Sequence, residues 1–335
     1  MNLSILIPAR NEEFLSRTVQ DILDHKEDDT EVIVGLDGKW ANPTIPQHPD
    51  VNVVYVPESV GQRGLTIMCA KLARGKYVIK CDAHCSFEQG FDKKMLDFFK
   101  EVGDDVTAVP VMRNLRAFIW KCNKCGAEKE QGPTPVACWK CTEAGDIVRQ
   151  MKWEPRRGTH STTYAFDPVP HFQYHGEYKD RPEYKEMVEK YSYNETMSLQ
   201  GSFFMLSKDK FFELLGTDYG SWGNQGLEVA CATWLSGGRV LVNHKTWYAH
   251  MFRTQGGDFG FPYEMGGNEV KRTKDAVKDL FWQGKHPKQV HPVSWLVEKF
   301  LPIHGGNSDR AGGEYQWTDE DLKKLKELEE KCYNK

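Results

Sequence analysis

Apolar segments of strand length, separated by helix-like segments, fill the first hundred residues of this chain and restrict its fold more than any other feature. Three segments are typical of buried strands: Leu3 to Ile7, Glu31 to Asp37 and Val51 to Val56. The periodicity predicts an amphipathic helix from about Phe14 to His25 and another helix from Gly61 to Ala73. Strands that alternate with helices form parallel sheets, so this order predicts an α/β fold.

Polar residues follow the predicted strands. In an open parallel sheet, ligands bind beyond the carboxyl ends of the strands, where Asn11, Asp37 and Asp82 are expected. A fourth strand, which starts at Tyr77, delivers Asp82 and His84 two positions apart and therefore on one side of an extended chain. A carboxylate beside an imidazole suits a divalent cation that carries a phosphate-bearing ligand, with Mn²⁺ or Zn²⁺ favoured over Mg²⁺. The alternative is a strand that ends in a turn.

Asp37 fits a nucleotide site in the same arrangement. Its carboxylate would accept hydrogen bonds from ribose hydroxyls or from a base edge, while Asp82 and His84 hold the metal on the phosphates. The alternative for Asp37 is the cap of a helix or turn.

A four-cysteine pattern lies in the middle of the chain. Cys122 and Cys125 form one Cys-x₂-Cys pair, Cys138 and Cys141 form a second, and twelve residues separate the pairs. This spacing is typical of a structural, tetrahedral Zn²⁺ site of the ribbon type. The other five of the nine cysteines suit free thiols better than disulfides.

The surroundings of these cysteines are locally basic and carry tryptophans. The cations are Lys121, Lys124, Lys129, Lys140, Arg149, Lys152, Arg156 and Arg157, and the rings are Trp120, Trp139 and Trp153. Cations combined with stacking rings favour nucleic acid. The alternative is a stapled loop that buttresses an acceptor site. The polar and aromatic segment from Arg156 to His175 is predicted to form part of an acceptor wall.

Composition limits the possible classes. The 335 residues can form one large α/β domain with insertions. The net charge of −4 gives no whole-chain basic field, so nucleic acid would need a local patch. The first strand follows the initiator methionine directly, and no apolar segment reaches membrane-spanning length, so a cytoplasmic protein without membrane contact is expected.

The order of the motifs resembles a known fold. The segments Ile5-Leu-Ile-Pro-Ala-Arg-Asn-Glu12, Gly61-Gln-Arg-Gly-Leu65 and Cys81-Asp-Ala-His-Cys85 are similar to the first half of a GT-A glycosyltransferase. They resemble in particular the polypeptide N-acetylgalactosaminyltransferases, in which Asp-x-His replaces the commoner Asp-x-Asp. The second half of that family is matched, in order, by Gly201-Ser-Phe-Phe-Met-Leu206, Trp222-Gly-Asn-Gln-Gly-Leu-Glu228, Gly237-Gly-Arg-Val-Leu-Val242 and Tyr248-Ala-His-Met-Phe-Arg253.

The resemblance implies a GT-A domain, which is a Rossmann-like α/β fold for nucleotide-diphospho-sugars, with a zinc-ribbon insertion and C-terminal helices. The expected divisions are a nucleotide-binding half at 1–114, an insertion at 115–197 with the ribbon at 122–141, an acceptor half with a glycine-rich lid at 198–265, and a helical extension at 266–335. A plain irregular loop is the alternative to the lid.

The resemblance also implies a site. His250 becomes the third ligand of Mn²⁺ or Mg²⁺ beside Asp82 and His84, and Arg253 contacts the diphosphate. On its own, His250 would be interpreted as a packed histidine in an aromatic run. The residues expected to bind the nucleotide-sugar are Pro8, Arg10, Asn11, Asp37, Gln62, Arg63, Asp82, Gly201, Ser202 and Arg253, and those expected at the reacting groups are Trp222, Gln225 and Glu228.

Two residues depart from the family pattern. Gln62 stands where these transferases usually have an arginine that helps hold the nucleotide, which leaves Arg63 or Arg10 as substitutes. Gln225 stands where they have a glutamate, which leaves the choice of sugar and acceptor open. Glu228 is either a hydrogen-bond partner of the donor or acceptor, or an acid placed for the helix dipole.

The resemblance implies transfer of a sugar from a UDP-sugar to a hydroxyl. No carboxylate stands in the usual general-base position, which favours retention of the anomeric configuration, whereas a base at Glu228 or Asp258 would give inversion. The expected acceptor is a hydroxymethylated DNA base such as 5-hydroxymethylcytosine, because a compact chain with a zinc ribbon and interleaved cations and tryptophans resembles virus-encoded transferases of the host cytoplasm. The alternatives are protein Ser/Thr or glycan hydroxyls, and a non-catalytic, zinc-dependent DNA-binding module.

Overall fold

The structure is a computed structural model that describes residues 1–215, 223–253, 268–303 and 316–333. The strands are β1 (Leu3–Ala9), β2 (Thr30–Asp37), β3 (Val51–Val56), β4 (Tyr77–Cys81), β5 (Cys85–Phe87), β6 (Val106–Cys122), β7 (Glu128–Glu130), β8 (Ile147–Pro155), β9 (Tyr164–Phe166), β10 (Phe172–Tyr174), β11 (Tyr193–Glu195), β12 (Phe203–Ser207) and β13 (Arg239–His250). The helices are α1 (Leu15–His25), α2 (Gly61–Leu72), α3 (Phe91–Val102), α4 (Pro182–Tyr191), α5 (Lys208–Leu214), α6 (Gln225–Leu235), α7 (Glu269–Phe281), α8 (Val293–Phe300) and α9 (Asp319–Tyr333). The helices and strands predicted for the first hundred residues are confirmed.

A mixed sheet in the order β11-β13-β6-β12-β4-β1-β2-β3 organises the molecule. Strand β1 is parallel to β2 and β4, and β2 is parallel to β3, whereas β12 runs antiparallel to β4. The carboxyl ends of β1 and β4 therefore meet at one edge. Strand β13 reaches the same edge because it pairs with β5, where His250 lies opposite Cys85.

Helices cover both faces of this sheet. Val19 of α1 and Phe98 of α3 belong to the apolar core on one face. Leu65 of α2, Val229 of α6 and Leu296 of α8 belong to the core on the other. The central strand β1 is buried along its whole length, as expected for a parallel strand that is covered on both sides.

The insertion is a continuation of the central sheet rather than a unit attached through a linker. Strand β6 is continuous across the predicted division at residue 114, and its second half pairs with β7 and β8. Trp153 of β8 is buried, and its indole N–H donates a 2.9 Å hydrogen bond to Asp21 of α1. This bond ties the insertion to α1.

The C-terminal helices pack on the core. Trp317 is buried, and its indole N–H donates to the carbonyl of Phe166 at 2.7 Å. Thr318 and Asp321 exchange side-chain and backbone hydrogen bonds that cap the start of α9. Among the described residues, no helix has both the length and the apolar character that crossing a membrane requires.

Candidate active site

Three metal-ligating side chains converge where β4 ends. Asp82 and His84 lie in the turn between β4 and β5, and His250 ends β13. The Nε2 atom of His250 lies 3.3 Å from Asp82 Oδ2, and Nε2 of His84 lies 3.8 Å from the same oxygen. The three side chains offer ligand atoms that all lie within 4.8 Å of one another. One divalent ion can bridge groups at this spacing.

The environment favours the protonation states that a metal ion needs. Burial lowers the pKa of His250 to about 4, so its ring is neutral at pH 7. Neither ring nitrogen has hydrogen-bond geometry to a described residue, although Nε2 faces Asp82. Burial alone would raise the pKa of Asp82, but the Lys80 ammonium and the neighbouring imidazoles hold it well below its usual range. A charged carboxylate and a neutral imidazole are metal-binding forms.

Lys80 contacts the carboxylate of Asp82 from within the sheet. This lysine of β4 is 1% exposed, and its Nζ contacts Asp82 Oδ1 and donates a 2.6 Å hydrogen bond to the carbonyl of Gly201. Gln62 Nε2 lies 3.4 Å from the same Oδ1. The two oxygens of Asp82 therefore have separate partners, because Oδ1 faces Lys80 and Gln62 while Oδ2 faces the two histidines.

The buried carboxylate of Glu12 connects the cluster of three candidate metal ligands to Arg253, the predicted phosphate contact. Its Oε2 lies 3.3 Å from Nδ1 of His84, and its Oε1 pairs with Arg253. A carboxylate at the second nitrogen of a metal-ligating histidine fixes the orientation and tautomer of the ring. Glu12 thus positions one expected ligand and holds one expected diphosphate contact.

These groups line one cavity of about 520 Å³, a size that suits a small-molecule ligand. The sequence-predicted residues in its wall are Pro8, Arg10, Gln62, Asp82, His84, Gly201, Ser202, Gln225, His250 and Arg253. The structure therefore brings most of the expected nucleotide-sugar and metal residues to a single place.

The start of α6 packs directly on the backbone of the preceding strand connection. A Cβ atom at Gly226 would lie 2.3 Å from the Leu199 carbonyl oxygen and 2.7 Å from the Gly201 nitrogen, so glycine is required there. Beside this contact, Gln225 Oε1 and Asn224 Nδ2 are buried polar atoms without a hydrogen-bond partner among the described residues, and both side chains line the cavity. Buried polar groups are normally paired, so these atoms are candidates for ligand contacts.

Asp37 lies outside the cavity wall. Its buried carboxylate accepts hydrogen bonds from the Ser59 hydroxyl at 2.8 Å and from the amides of Val60 and Gly61 at 2.7 and 3.0 Å. These contacts satisfy backbone donors at the start of α2, so the structure shows the cap that was the alternative for this residue. Arg10, which does line the cavity, donates to the Asp37 carbonyl at 2.7 Å.

Arg63 and Glu228 pair with each other away from the cavity wall. Arg63 Nε lies 2.9 Å from Glu228 Oε2, and both side chains are buried. Arg63 Nη2 also donates to the carbonyl of Gly223 at 2.5 Å. The pair joins α2 to the start of α6 and positions the segment that carries Gln225. Of the two expected substitutes for the missing family arginine, Arg10 is the one in the cavity wall.

Asn11 is a further expected residue that does not line the cavity. It is exposed and has a positive φ of 52°. Trp222, Asp258 and the glycine-rich segment predicted as a lid lie outside the described residues.

The insertion and the C-terminal extension supply part of the wall. His171, Phe172 and Lys274 line the cavity together with the metal cluster. His171 Nδ1 lies 2.9 Å from Oδ2 of Asp167, a fully buried carboxylate. His171 and Phe172 belong to the segment that was predicted to contact the acceptor.

The four cysteines form a second cluster. The distance between the sulfurs of Cys122 and Cys141 is 3.9 Å, that between Cys125 and Cys138 is 3.6 Å, and all four lie within 4.8 Å of one another. Such distances fit tetrahedral ligation of Zn²⁺. The amides of Cys141 and Lys140 donate to the Cys138 sulfur and lower its pKa to about 6, which favours the thiolate.

The surroundings of the ribbon are less open than the sequence suggests. Trp120 and Trp153 are buried core residues, so they are not available as stacking rings, and Trp139 is 36% exposed with Lys129 Nζ 5.8 Å from its ring centroid. Several cations pair with acids: Lys124 with Glu143, Arg149 with Glu13, and Arg156 with Glu130. The exposed basic and aromatic surface around the ribbon is therefore smaller than the sequence suggests.

Sequence reasoning missed the partners of the predicted ligands, Lys80 and Glu12, and the wall residue Lys274. A signal existed for Lys80, because a lysine inside an otherwise apolar strand is buried only when it has a charged or polar partner. A signal also existed for Glu12. It ends the Arg-Asn-Glu motif that follows the first strand, and polar residues at the carboxyl ends of parallel strands lie where ligands bind.

Comparisons with known proteins agree with this architecture. Residues 4–120 match the family model described as glycosyl transferase family 2. The crystal structure of GalNAc-T7 with UDP, GalNAc and Mn²⁺ aligns with a TM-score of 0.58 and 16% identity, over 84% of this chain and 48% of that chain. The chain thus spans about half the length of the GalNAc-T7 chain. S. aureus TarS 1–349 aligns with a TM-score of 0.42 and 12% identity, over 75% of this chain and 60% of that chain.

Proposed function

We propose that this chain, which carries a glycosyl transferase family 2 domain on a GT-A fold, transfers a sugar from a UDP-sugar to a hydroxyl with a divalent metal ion. The observation that carries the proposal is the convergence of Asp82, His84 and His250 with Arg253 in one cavity at the carboxyl edge of the sheet. Open α/β sheets bind nucleotides at this edge. GalNAc-T7, which has a similar fold, is solved with UDP, GalNAc and Mn²⁺.

Different residues of the chain would bind the metal ion, orient one of its ligands and contact the diphosphate. Asp82, His84 and His250 would hold the ion, and a carboxylate with two imidazoles fits Mn²⁺ better than Mg²⁺. Glu12 orients His84. The guanidinium of Arg253 suits the diphosphate because it can donate two parallel hydrogen bonds. The bound ion supplies positive charge for the leaving diphosphate.

We propose retention of the anomeric configuration, with the departing phosphate taking the acceptor proton. The proposal is supported by the ion pairs of the two carboxylates in the described cavity wall, because Asp82 pairs with Lys80 and Glu12 pairs with Arg253. A product of inverted configuration would point instead to His171, whose Nδ1 is held by Asp167, as the base.

The first test measures release of UDP from UDP-sugars without acceptor. We expect slow, Mn²⁺-dependent hydrolysis by the wild-type protein, and a loss of about a hundredfold or more in His84→Ala, since a lost ligand removes charge stabilisation worth several kcal/mol. His48→Ala, which changes a half-exposed histidine of a loop, is the matched control. Equal activity in His84→Ala and the control would refute the metal assignment.

For the acceptor, we propose 5-hydroxymethylcytosine in DNA. The support is the ribbon surface, where Trp139 and Lys129 lie together and where Lys140 is exposed. A base flipped out of the duplex needs aromatic and cationic support of this kind. Protein Ser/Thr hydroxyls are the alternative, which the fold shared with GalNAc-T7 supports.

The acceptor test is the intact mass of a short duplex that contains 5-hydroxymethylcytosine after incubation with protein, Mn²⁺ and a mixture of UDP-sugars. An unmodified duplex and a Ser/Thr peptide serve as parallel acceptors. We expect a hexose or N-acetylhexosamine increment on the modified duplex alone. An increment on the peptide alone would replace DNA by protein as the acceptor while leaving the enzyme class unchanged.

A further inference from the structure

The two carboxylates at the metal cluster, Asp82 and Glu12, are each paired with a cation before any metal ion binds. Among the described residues, Asp82 pairs with Lys80 and Glu12 pairs with Arg253. The charges of these two carboxylates and two cations cancel. A divalent ion that binds alone would therefore leave two uncompensated positive charges in a partly buried site, where water screens charge poorly.

Lys80 is a fixed part of this balance. Its position on β4 lies between Leu6 of β1 and Phe204 of β12, in the middle of the sheet. The side chain is 1% exposed, whereas that of Asp82 is 21% exposed. The ammonium is anchored to the carbonyl of Gly201 as well as to Asp82, so it stays beside any ion that binds at Asp82 Oδ2.

The geometry also limits how Asp82 can bind an ion. Its Oδ1 is occupied by Lys80 and approached by Gln62, while Oδ2 faces His84 and His250. Asp82 is therefore a ligand through one oxygen. The ammonium both orients this carboxylate and opposes the charge of the ion.

We propose that Lys80 makes metal binding depend on the nucleotide. The ammonium weakens binding of the metal ion alone, and a nucleoside diphosphate restores the charge balance with its own negative charges. Metal and nucleotide then bind with positive coupling, and each raises the affinity of the other by the same factor. This inference rests on the proposed function and assigns to Lys80 the coupling between metal and nucleotide.

The experiment measures the coupling factor, which is the ratio of the Mn²⁺ dissociation constants without and with saturating UDP. Free Mn²⁺ is followed by its electron paramagnetic resonance signal and corrected with protein-free titrations of the same UDP. We expect a coupling factor of about ten or more for the wild-type protein. In Lys80→Met the factor should fall roughly tenfold, because a unit charge beside the ion is lost.

Two further variants keep the result interpretable. Lys76→Met removes an equal charge from an exposed lysine that pairs with Asp104, and it should leave the coupling factor unchanged. Lys80→Gln removes the charge but keeps a hydrogen-bond donor to Asp82. We expect it to lower the coupling factor as much as Lys80→Met, and it provides the measurement if the methionine variant folds poorly.

The outcomes separate this inference from the proposed function. If Lys80 only orients Asp82, its variants will weaken Mn²⁺ binding equally with and without UDP, and an unchanged coupling factor overturns the inference while the enzyme assignment stands. A wild-type protein that binds neither Mn²⁺ nor UDP overturns both.

Discussion

At the scale of single residues, Lys80 and Glu12 show why a motif reveals ligands but not their partners. Asp82 and His84 lie two positions apart in a recognisable pattern, so the sequence alone indicates them. The pairing of Glu12 with both His84 and Arg253 joins three distant parts of the chain, and nothing in the local sequence around any of them specifies it. The position of Asp37 suggests a ligand contact, whereas the sequence does not indicate that its carboxylate accepts hydrogen bonds from the amides of Val60 and Gly61.

His244 is a residue whose burial predicts a pH dependence of stability. Burial lowers the pKa of His244 to about 4, and its Nε2 lies 2.6 Å from Asn194 Oδ1. Between about pH 6.5 and pH 4, His244 is protonated in the unfolded chain but stays neutral in the folded protein. The free energy of unfolding therefore falls as the pH falls through this window. We expect His244→Gln, which keeps a donor for Asn194, to lose about 1 to 2 kcal/mol less than the wild-type protein between pH 7 and pH 5.

The measurement is the free energy of unfolding from urea titrations at both pH values. His48→Gln, at a half-exposed position, is the control and should follow the wild-type protein. If all three proteins lose the same stability, the protonation of His244 does not contribute.

At the scale of elements, long-range pairing decides where the site forms. His250 reaches Asp82 and His84 because β13 pairs with β5 directly after the turn that carries them. Periodicity predicts each strand but not this pairing, since the strands are separated by more than one hundred and fifty residues in the chain. The family resemblance, rather than the pattern of the residues, indicated His250 as a ligand.

The ribbon is an element whose stability should depend on metal. The segment that holds Cys125 is small and polar with exposed side chains, so Zn²⁺ would supply much of its folding free energy. We expect Cys125→Ser to reduce bound zinc from one ion per chain to almost none and to make the segment between β6 and β8 sensitive to trypsin. Zinc is measured by mass spectrometry of the metal, and cleavage by the masses of the fragments.

Cys332→Ser changes a free cysteine of α9 and should keep its zinc. Slow Mn²⁺-dependent UDP release should persist in Cys125→Ser, because Trp153 and Asp21 still hold β8 on the core. Retention of zinc by the Cys125 variant would rule out the four-cysteine site.

For the molecule as a whole, the GT-A fold and the presence of a metal-ligating cluster could be predicted from the sequence. Apolar strands with ligands at their ends, together with the order of the motifs, sufficed for both. The sequence could not predict that Arg63 of α2 and Glu228 of α6 form a buried ion pair, since either residue alone is a reasonable ligand contact. Nor could it predict that Trp120 and Trp153 are core residues, because burial depends on how β6 and β8 pack.

The contact between Gly226 and the Leu199 carbonyl limits which residues of the cavity wall can be varied by engineering. Any side chain at position 226 would push α6 away from the strand connection, so a library that varies this glycine would mostly contain misassembled proteins. Gln225 stands next to it, faces the cavity and is not constrained in this way, whereas Asn224 has a positive φ of 52°, which favours asparagine or glycine. Under the proposed function, a change of sugar preference by directed evolution is therefore most accessible through Gln225, with Asn224 and Gly226 held constant.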